Sequence, residues 1–364
     1  MKMIHCADLH LDSKLSANLD KDRRKERRSE ILRTYEKMVQ YAVDNDVNAI
    51  LIAGDMFDTK SISASVRNAV LHSIMSHSDI VFYYLNGNHD RDNFLSGLEE
   101  IPANLRLFQD TWTTYEQNGI VISGMELNSS NHDTAYISLV LDSSKFNIVM
   151  LHGQEVEGAS KDKAEVINLK ALRNKGIDYL ALGHIHSYKK ALLDARGIYC
   201  YPGCLEGRGF DECGEHGFVV LDVNEEEHSF TQEFIPFAQR ELHTVQIDVS
   251  GCLATTEMVE RIQEKLGQVR CKSNSMVKLV LTGELDVECE KDISYLLTKF
   301  KEDFYFVKVY DETTLKIQIE EYMMDESLKG EYVRMVMAND EFSEDEKAMI
   351  IRYGLQAIAG EEVQ

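Results

Sequence analysis

Short apolar stretches recur along this chain, and each is followed by a glycine, aspartate, asparagine or histidine. The clearest of them, Ala49–Ala53, is a continuous apolar run of the kind that forms a strand buried on both faces, and Gly54 and Asp55 follow it directly. Helical spacing of apolar residues, as in 31–42 and 64–75, separates the stretches near the start of the chain. This alternation predicts an α/β layered domain whose polar side chains collect at the carboxyl ends of the strands, along one edge.

The polar residues at these strand ends form motifs that follow one another in the chain. The motifs are Asp8-x-His10, Gly54-Asp55-x-x-Asp58, Gly87-Asn88-His89-Asp90, His152-Gly153 and Gly183-His184-x-His186. Any one of them alone is more often a hydrogen-bonded turn or a core histidine whose ring nitrogens are satisfied. All of them in one chain, each at a strand end, favour a functional site instead.

The third motif illustrates the chemistry that such a strand end can offer. Gly87 allows a sharp bend, and Asn88 supplies a neutral oxygen. His89 can move a proton near neutral pH, and Asp90 can hold a neighbouring group in place. The turn therefore combines a metal-type ligand with an acid–base group.

The donor types in the motifs indicate which metals they could hold. Carboxylate, amide and imidazole groups suit Mn²⁺, Fe²⁺ or Zn²⁺ better than a metal that thiolates select. Seven such ligands exceed what one ion takes, whereas two ions roughly 3.5 to 4 Å apart that share one carboxylate use them all. We therefore expect two divalent metal ions as cofactors, with Mn²⁺ ahead of Fe²⁺ and Zn²⁺.

Beyond the motifs, the sequence divides at Pro236–Arg240. Before that point we expect further short strands, one of them at Tyr136–Leu141, and an irregular surface loop over Tyr201–Gly217. After it, strand and helix patterns alternate in a compact α+β module of about 70 residues, and helical patterns follow at 320–337 and 343–358. The predicted domains are 1–237, 238–313 and 314–364.

The composition limits the remaining possibilities. A formal net charge of -23 argues against a protein that coats nucleic acid through a broad basic surface, although it does not exclude a nuclease with a local site. No apolar run approaches the roughly twenty residues of a membrane span, and Met1–Ile4 is too short for a signal peptide, so we expect a cytoplasmic protein without a membrane partner. The cysteines, of which Cys200, Cys204 and Cys213 lie closest together, fit buried reduced thiols better than a disulfide or zinc pattern.

Lys21–Arg28 is the one strongly basic cluster in this acidic chain. A run of charges is often no more than the solvent-exposed start of a helix. The alternative is an edge that grips phosphates beside the strand end at Asp8. The sequence leaves both interpretations open.

The motifs from Asp8 to His186 resemble those of the calcineurin-like metallophosphoesterases, and within that family those of the SbcD branch of DNA repair exonucleases. Tyr201-Pro202-Gly203, Glu206 and Gly217-Phe218 are also similar to that branch. The opening Asp8–Ser13 differs from many SbcD proteins, which carry a tryptophan before the histidine and a glycine after it. The resemblance implies a four-layer αββα sandwich with a smaller α+β capping domain and C-terminal helices.

The same resemblance implies a role for each residue of the site. The ligands that it assigns to one metal are Asp8, His10, Asp55 and His186, and those that it assigns to the other are Asp55, Asn88, His152 and His184. His89 matches the catalytic histidine of the family. Asp58 matches the position that orients this histidine in several members. We therefore expect a metal-dependent hydrolase that cleaves DNA phosphodiester bonds, as an exonuclease or an endonuclease, in DNA repair.

The helical tail has two interpretations. It could pack onto its own domain, whereas the resemblance implies that it docks on an SbcC-type, SMC-like ATPase. A homodimer of the protein is a further partner that we consider. The apolar residues that could form the docking face are Tyr322, Met323, Leu328, Tyr332, Val333, Met335, Val336, Met349, Ile350, Tyr353 and Leu355. Two other functions stay open: a phosphodiesterase or phosphatase that acts on small molecules or proteins, and a non-catalytic scaffold for the ATPase, against which the intact ligand set argues.

Overall fold

The computed structural model describes residues 1–15, 19–58, 62–90, 94–95, 98–158, 165–286, 289–316 and 319–359. The chain forms two compact units, Met1–Glu241 and Leu242–Gln364, which we call the first and the second unit. The division into three domains at 237 and 313 stays a prediction.

The first unit is built from two six-stranded sheets with helices. Its elements in chain order are β1 (Lys2–Cys6), α1 (Lys21–Asp44), β2 (Ala49–Ala53), α2 (Ala64–Ser76), β3 (Val81–Leu85), β4 (Leu105–Leu107), β5 (Thr113–Gln117), β6 (Ile120–Gly124), α3 (His132–Ser138), β7 (Phe146–His152), β8 (Gln154–Val156), β9 (Val166–Asn168), α4 (Leu169–Leu172), β10 (Tyr179–Gly183), β11 (Lys189–Leu192), β12 (Ile198–Tyr201), β13 (Gly217–Asn224) and β14 (Ser229–Pro236). Sheet A has the strand order β14-β13-β1-β2-β3-β4, and sheet B has the order β11-β12-β10-β7-β6-β5. The short strands β8 and β9 pair with each other.

Alternation of side chains along the central strands explains how the layers stack. In β2, Ile50 belongs to a buried apolar cluster with side chains of α1 and α2, whereas its neighbour Leu51 belongs to a cluster shared with sheet B. In β7, Ile148 lies in that inter-sheet cluster, and Val149 lies in a third cluster with side chains of α3 and α4. Each strand is thus buried on both faces, as continuous apolar runs require. The predicted four-layer αββα sandwich is confirmed.

Parallel pairing brings the strand ends that carry the sequence motifs to one edge of each sheet. Strand β2 runs parallel to both β1 and β3 in sheet A. Strand β7 runs parallel to both β10 and β6 in sheet B. In open parallel sheets, the carboxyl ends of neighbouring strands form the crevice where ligands bind.

Two local predictions are wrong. The stretch Tyr136–Leu141, expected as a strand, begins within helix α3 and leaves it after Ser138. The buried residues His132, Ala135, Tyr136 and Leu139 recur at helical spacing, so a period of 3.6 outweighs the strand preference of the side chains. The stretch after β12 is irregular as expected, but only its later part lies at the surface: residues 202–207 are buried, whereas most of residues 208–215 are partly or fully exposed.

A buried ionic network anchors the start of α1. Arg27 is 1% exposed, and its guanidinium donates to Glu30 at 2.7 Å, to Glu206 at 3.1 Å and to the carbonyl of Gly207 at 2.9 Å. Arg240 donates to Glu30 from the other side at 2.9 Å. Neither interpretation of the basic cluster therefore holds for Arg27, which links the helix to the segment after β12.

The second unit contains a three-stranded parallel sheet and two groups of helices. Its elements are β15 (Leu242–Asp248), α5 (Thr255–Val269), β16 (Met276–Thr282), β17 (Glu284–Leu285), α6 (Ile293–Phe300), β18 (Phe306–Asp311), β19 (Thr314–Leu315), α7 (Ile319–Met324), α8 (Leu328–Met337) and α9 (Glu344–Ala359). The sheet has the order β15-β16-β18, and its inward side chains, such as Val277 and Leu279, cluster with Ile262 of α5 and Phe300 of α6. The succession of strands and helices agrees with the sequence pattern.

The terminal helices have a small core of their own. Val333 and Val336 of α8 pack with Ile351 and Leu355 of α9 in a buried cluster. Three residues expected on the docking face, Val333, Val336 and Leu355, are therefore interior residues of the helical group. Apolar side chains elsewhere on these helices remain exposed, among them Met335 at 66%.

The thiols and the helices both bear on what the composition predicts. The seven cysteines all lie within the described residues and are free thiols, with Cys200 and Cys204 buried and Cys213 exposed. The exposure of Cys213 departs from the expectation that all three thiols are buried. No helix in the described ranges combines the length and the apolar character that a membrane crossing needs.

Candidate metal centre

The residues of the five motifs meet at the carboxyl ends of the central strands. In chain order, Asp8 and His10 follow β1, Asp55 follows β2, Asn88 and His89 follow β3, His152 ends β7, and His184 and His186 follow β10. Hydrogen bonds hold neighbouring strand ends together: the N–H of His10 donates to the carbonyl of Asp55 at 3.0 Å. The ring of His152 in sheet B donates to the carbonyl of Ala53 in sheet A at 2.9 Å.

One group of potential ligands consists of Asp8, His10 and His186. Their ligand atoms all lie within 4.8 Å of one another. The Nε2 atoms of His10 and His186 face each other at 3.1 Å, and Nε2 of His186 lies 3.9 Å from a carboxylate oxygen of Asp8. These residues match part of the first ligand set that the resemblance implies.

A second group surrounds His152. Its Nδ1 carries the proton that Ala53 accepts, so Nε2 is left to face the Oδ1 of Asn88 at 3.0 Å and the Oδ2 of Asp55 at 3.4 Å. The ring of His184 lies edge-on to that of His152, with 5.4 Å between the centroids. Asp8 joins this group too, because its carboxylate lies within 4.8 Å of the ligand atoms of Asp55 and His152.

The donor set fits divalent cations. Asp8, His10 and Asp55 are each at most 2% exposed, and buried carboxylates need a compensating positive charge. Only one proton can lie between the facing Nε2 atoms of His10 and His186, whereas a cation could accept both lone pairs. Carboxylate, amide and imidazole ligands suit Mn²⁺, Fe²⁺ or Zn²⁺.

The electrostatics of the buried groups agree with this fit. Burial would raise the pKa of Asp55, but the hydrogen bond and the charge of His152 outweigh burial and lower the pKa to about 2. Burial would lower the pKa of His152, but the hydrogen bond to Asp55 and the charge of Asp8 raise the pKa to about 9. The Asp55–His152 pair therefore favours the charged forms of both groups, whereas burial raises the pKa of Asp8 and lowers that of His10.

The backbone around these residues adopts conformations that side chains usually avoid. Asp8, His10, Asp55 and His184 all have positive φ angles, of 52°, 44°, 51° and 103°. Such strain is kept where the surrounding structure over-determines it, and it concentrates at functional sites. At Gly183, a Cβ atom would lie 1.9 Å from the carbonyl oxygen of Ala53, so only glycine allows the two sheets this approach.

His89 and Asp58 lie beside the first ligand group. The Nδ1 of His89 is 3.0 Å from the Oδ1 of Asp58, and the His89 side chain is 47% exposed. Ser13 donates to the Oδ2 of Asp58 at 2.7 Å. The His10 and His89 rings are edge-on, with 5.3 Å between the centroids. The structure thus places an exposed imidazole, supported by a carboxylate, next to the potential ligands.

Asp90 ties two strand ends together. Its carboxylate accepts hydrogen bonds from the N–H groups of Met56 at 3.2 Å, Phe57 at 2.8 Å and Gly87 at 2.9 Å. Burial raises its pKa to about 6. This residue therefore supports the loops that carry Asp55 and Asn88.

Two charged residues near the site are absent from the sequence prediction. Glu212 accepts a hydrogen bond from Nδ1 of His186 at 2.7 Å, and Arg208 donates to Glu212 at 2.9 Å and lies 3.4 Å from Asp58. Burial would raise the pKa of Glu212, but the hydrogen bonds from His186 and Arg208 hold it well below its usual range. Their only signal in the sequence is an arginine and a glutamate four positions apart in the glycine-rich segment.

The similarity to known proteins agrees with this arrangement. The family model for calcineurin-like phosphoesterases matches residues 1–188, which is more than half of the chain. The chain belongs to the calcineurin-like phosphoesterase family. The protein is therefore a hydrolase of phosphoesters, and the family binds a dimetal centre for which the ligand groups described above are candidates. The SbcD branch within the family stays a prediction.

Curated relatives share between a fifth and a third of their aligned residues with this phosphoesterase. The Bacillus subtilis (strain 168) protein named uncharacterized metallophosphoesterase YhaO is 26% identical over 300 residues, which cover 78% of this chain and 72% of that protein. The DNA double-strand break repair protein Mre11 of Saccharolobus solfataricus is 22% identical over 386 residues, which cover 97% of this chain and 94% of that protein. Mre11 of Aeropyrum pernix is 24% identical over 320 residues, or 80% of this chain and 74% of that protein.

Solved structures of low sequence identity are also similar. The crystal structure of TT1561 of Thermus thermophilus matches with a TM-score of 0.42 and 13% identity, and covers 64% of this chain and 98% of that one. A structure described as a novel archaeal phosphodiesterase matches with a TM-score of 0.33 and 13% identity, and covers 65% of this chain and 100% of that one.

Proposed function

We propose that this phosphoesterase is a dimetal-dependent DNA nuclease of DNA repair, acting as an exonuclease or endonuclease together with an SbcC-type ATPase. One observation carries the proposal: the similarity to Mre11 of Saccharolobus solfataricus extends over 97% of the chain. It therefore includes the second unit as well as the family-matched residues 1–188. A relationship based on the metal centre alone would not need to extend beyond the unit that holds it.

The chain's own residues suit hydrolysis of a phosphodiester. When bound, two divalent ions would supply the positive charge that activates water and offsets the negative phosphoryl oxygens. Nδ1 of His89 lies 3.0 Å from Oδ1 of Asp58, so the carboxylate can accept the Nδ1 proton and orient the ring. Nε2 of His89 is then the atom that donates a proton to the departing sugar oxygen. General acid catalysis of this kind contributes typically about 10² to 10⁴-fold to the rate.

The exposed apolar side chains of the terminal helices support an ATPase partner. Met335 of α8 is 66% exposed, Leu328 is 69% exposed, and Met349 of α9 is 55% exposed. The core of these helices is formed by other residues, so the exposed ones are not needed to hold the helical group together. Flexible methionines on a helix surface suit a groove or coiled coil of another protein.

A nuclease assay on defined DNA ends tests the activity. The full-length protein would be incubated with Mn²⁺ and end-labelled single-stranded or double-stranded DNA, with and without the ATPase. Parallel reactions would contain a chromogenic phosphodiester and a chromogenic monoester. We expect cleavage of DNA and of the diester. Cleavage of the chromogenic esters without any cleavage of DNA would instead favour a phosphodiesterase or phosphatase for other substrates.

Point substitutions test the ATPase contact more sharply than truncation of the tail. We expect Leu328→Glu together with Met335→Glu to abolish co-purification with the ATPase while the metal centre keeps its phosphodiesterase activity. The matched control is Leu192→Glu on β11, a leucine that is 76% exposed in the first unit. If the ATPase still binds the double variant as it binds the control, the terminal helices are not the docking site.

A further inference from the structure

Arg208 lies between the two chemically distinct parts of the site. We propose that Arg208 is a positioning residue that holds Glu212 against His186 and Asp58 against His89 at the same time, a role that rests on the proposed phosphodiester hydrolysis. One guanidinium would thus align a metal ligand and the proton donor with each other.

The contact with Glu212 concerns the metal ligand. The guanidinium of Arg208 donates to Oε1 of Glu212 at 2.9 Å, and the Arg208 backbone N–H donates to Oε2 at 2.7 Å. The same carboxylate accepts the Nδ1 proton of His186 at 2.7 Å. Because a carboxylate can only accept, His186 must keep its proton on Nδ1 and present the lone pair of Nε2 to the site. Partners of this kind orient ligating imidazoles and raise their basicity.

The contact with Asp58 concerns the proton donor. Nη1 of Arg208 lies 3.4 Å from Oδ2 of Asp58, which also accepts from Ser13 at 2.7 Å. Oδ1, the other oxygen, faces Nδ1 of His89 at 3.0 Å and Nδ1 of His10 at 3.6 Å. Arg208 therefore helps to fix the rotation of the Asp58 carboxylate that supports the imidazole.

Burial makes these contacts specific. The Arg208 side chain is only 19% exposed, and Asp58 is equally buried. Without the guanidinium, the carboxylates of Asp58 and Glu212 would lose their shared cation in a partly dehydrated setting, where like charges repel more strongly than in water. Lysine would restore the charge, but it cannot make the forked contact that a guanidinium makes.

The segment that carries Arg208 is itself anchored. The carbonyl of Gly207 accepts from Arg27 at 2.9 Å, and Glu206 is held by Arg27 and by Thr34 at 2.7 Å. These contacts fix the backbone on the N-terminal side of Arg208. The guanidinium therefore reaches both carboxylates from a rigid support on α1.

The experiment compares Arg208→Gln and Arg208→Lys with Arg196→Gln. Arg196 is a suitable control because its guanidinium makes two 2.8 Å contacts with the buried Asp178, at the opposite end of β10 from the site. For each variant, kcat and KM on a chromogenic phosphodiester would be measured at saturating Mn²⁺. The affinity of the metal-free protein for Mn²⁺ would be measured by titration calorimetry, and folding would be followed by urea unfolding.

We expect Arg208→Gln to lower both the Mn²⁺ affinity and kcat by about 10 to 100-fold, as for other residues that orient metal ligands, with KM nearly unchanged. Arg208→Lys should recover part of both losses, and Arg196→Gln should change neither. The proposal would be overturned if Arg208→Gln kept the Mn²⁺ affinity and the kcat of the wild-type protein. A rise in KM with unchanged kcat would also overturn it, since Arg208 would then contact substrate. If the wild-type protein binds Mn²⁺ but cleaves no phosphodiester, the proposed function fails, and the affinity comparison still tests the effect of Arg208 on His186.

Discussion

Nδ1 of His89 lies 3.0 Å from Oδ1 of Asp58, and the His89 side chain is 47% exposed. Asp8 and His10 beside it are each only 1% exposed, whereas the His186 side chain is 28% exposed. The proposed proton donor and the candidate metal ligands are therefore different side chains in different environments. A substitution can remove one without the other.

His89→Asn should abolish most hydrolysis but keep the metals. The expected loss of kcat is about 10² to 10⁴-fold, the usual contribution of a general acid. Asp55→Ala should lose metal as well, because Asp55 lies among the buried ligand atoms. Metal content by elemental analysis and the rate on a chromogenic phosphodiester, measured on the same samples, test both expectations. An active His89→Asn protein would remove His89 from its role.

Gly183→Ala should displace His152 and weaken metal binding. An added Cβ would lie 1.9 Å from the carbonyl oxygen of Ala53 and 2.8 Å from Nδ1 of His152, so either the sheets or the ligand must move. Gly267→Ala is the matched control, because Gly267 lies in helix α5 and a Cβ there meets nothing within 4 Å. The control should be neutral or slightly stabilising. Equal Mn²⁺ affinity of the two variants in a calorimetric titration would contradict this expectation.

The sequence was sufficient to predict the strand ends because the signal there is local. Ala49–Ala53 is an apolar run that must be buried, and the residues that follow it are necessarily delivered to the edge of the sheet. Arg208 and Glu212 could not be found in this way. Their partners Asp58 and His186 lie on other strand ends, and no period or spacing in the sequence connects them.

Arg27 is a second residue whose role cannot be predicted from the sequence alone. In the sequence it is one of several adjacent cations, and charge alone gives no reason to separate it from Arg28. In the fold it meets Glu206, 179 positions further along the chain, and becomes one of the most buried side chains of the first unit. Tertiary contact therefore decided which residues of the cluster stay on the surface.

Arg27→Ala should destabilise the first unit strongly. Its removal leaves Glu206 and part of Glu30 without their buried partner, and breaking a buried ion pair from one side costs about 3 to 5 kcal/mol. Arg28→Ala, one position along the same helix and exposed, should change the free energy of unfolding by at most about 0.5 kcal/mol. Urea unfolding of both variants measures the difference. Similar stabilities for the two variants would show that the network contributes little.

The stabilisation from Glu30 should be lost in acid. Burial would raise the pKa of Glu30, but the hydrogen bonds from Arg240 and Arg27 outweigh burial and lower the pKa from its usual value of 4.5. A carboxyl group with a lowered folded-state pKa stabilises the fold fully above its unfolded pKa, and this contribution falls as the pH drops through the folded pKa. The difference in unfolding free energy between wild type and Glu30→Gln should therefore shrink over the pH interval that runs from neutrality down to below 4.5. A difference that is constant over this interval would contradict the ionic role.

The exposed part of the basic cluster should determine how DNA binding responds to salt. Arg24 and Arg28 lie four positions apart on α1, and both keep solvent-accessible surface, whereas Arg27 is excluded by its burial. If this pair grips phosphates, reversal of both charges should reduce the slope of log K against log salt by about 0.9 for each phosphate contact that is lost.

Arg33 and Lys37 are the matched control, since they are exposed, four positions apart and on the same helix. Both pairs of substitutions would be made in the catalytically inactive His89→Asn variant. The affinity of each protein for labelled DNA, measured at several salt concentrations, gives both slopes. A smaller slope for the Arg24 and Arg28 pair alone would locate DNA at the start of α1, because a general effect of net charge would change both pairs alike. An unchanged slope would assign these arginines to the solvent-exposed start of a helix.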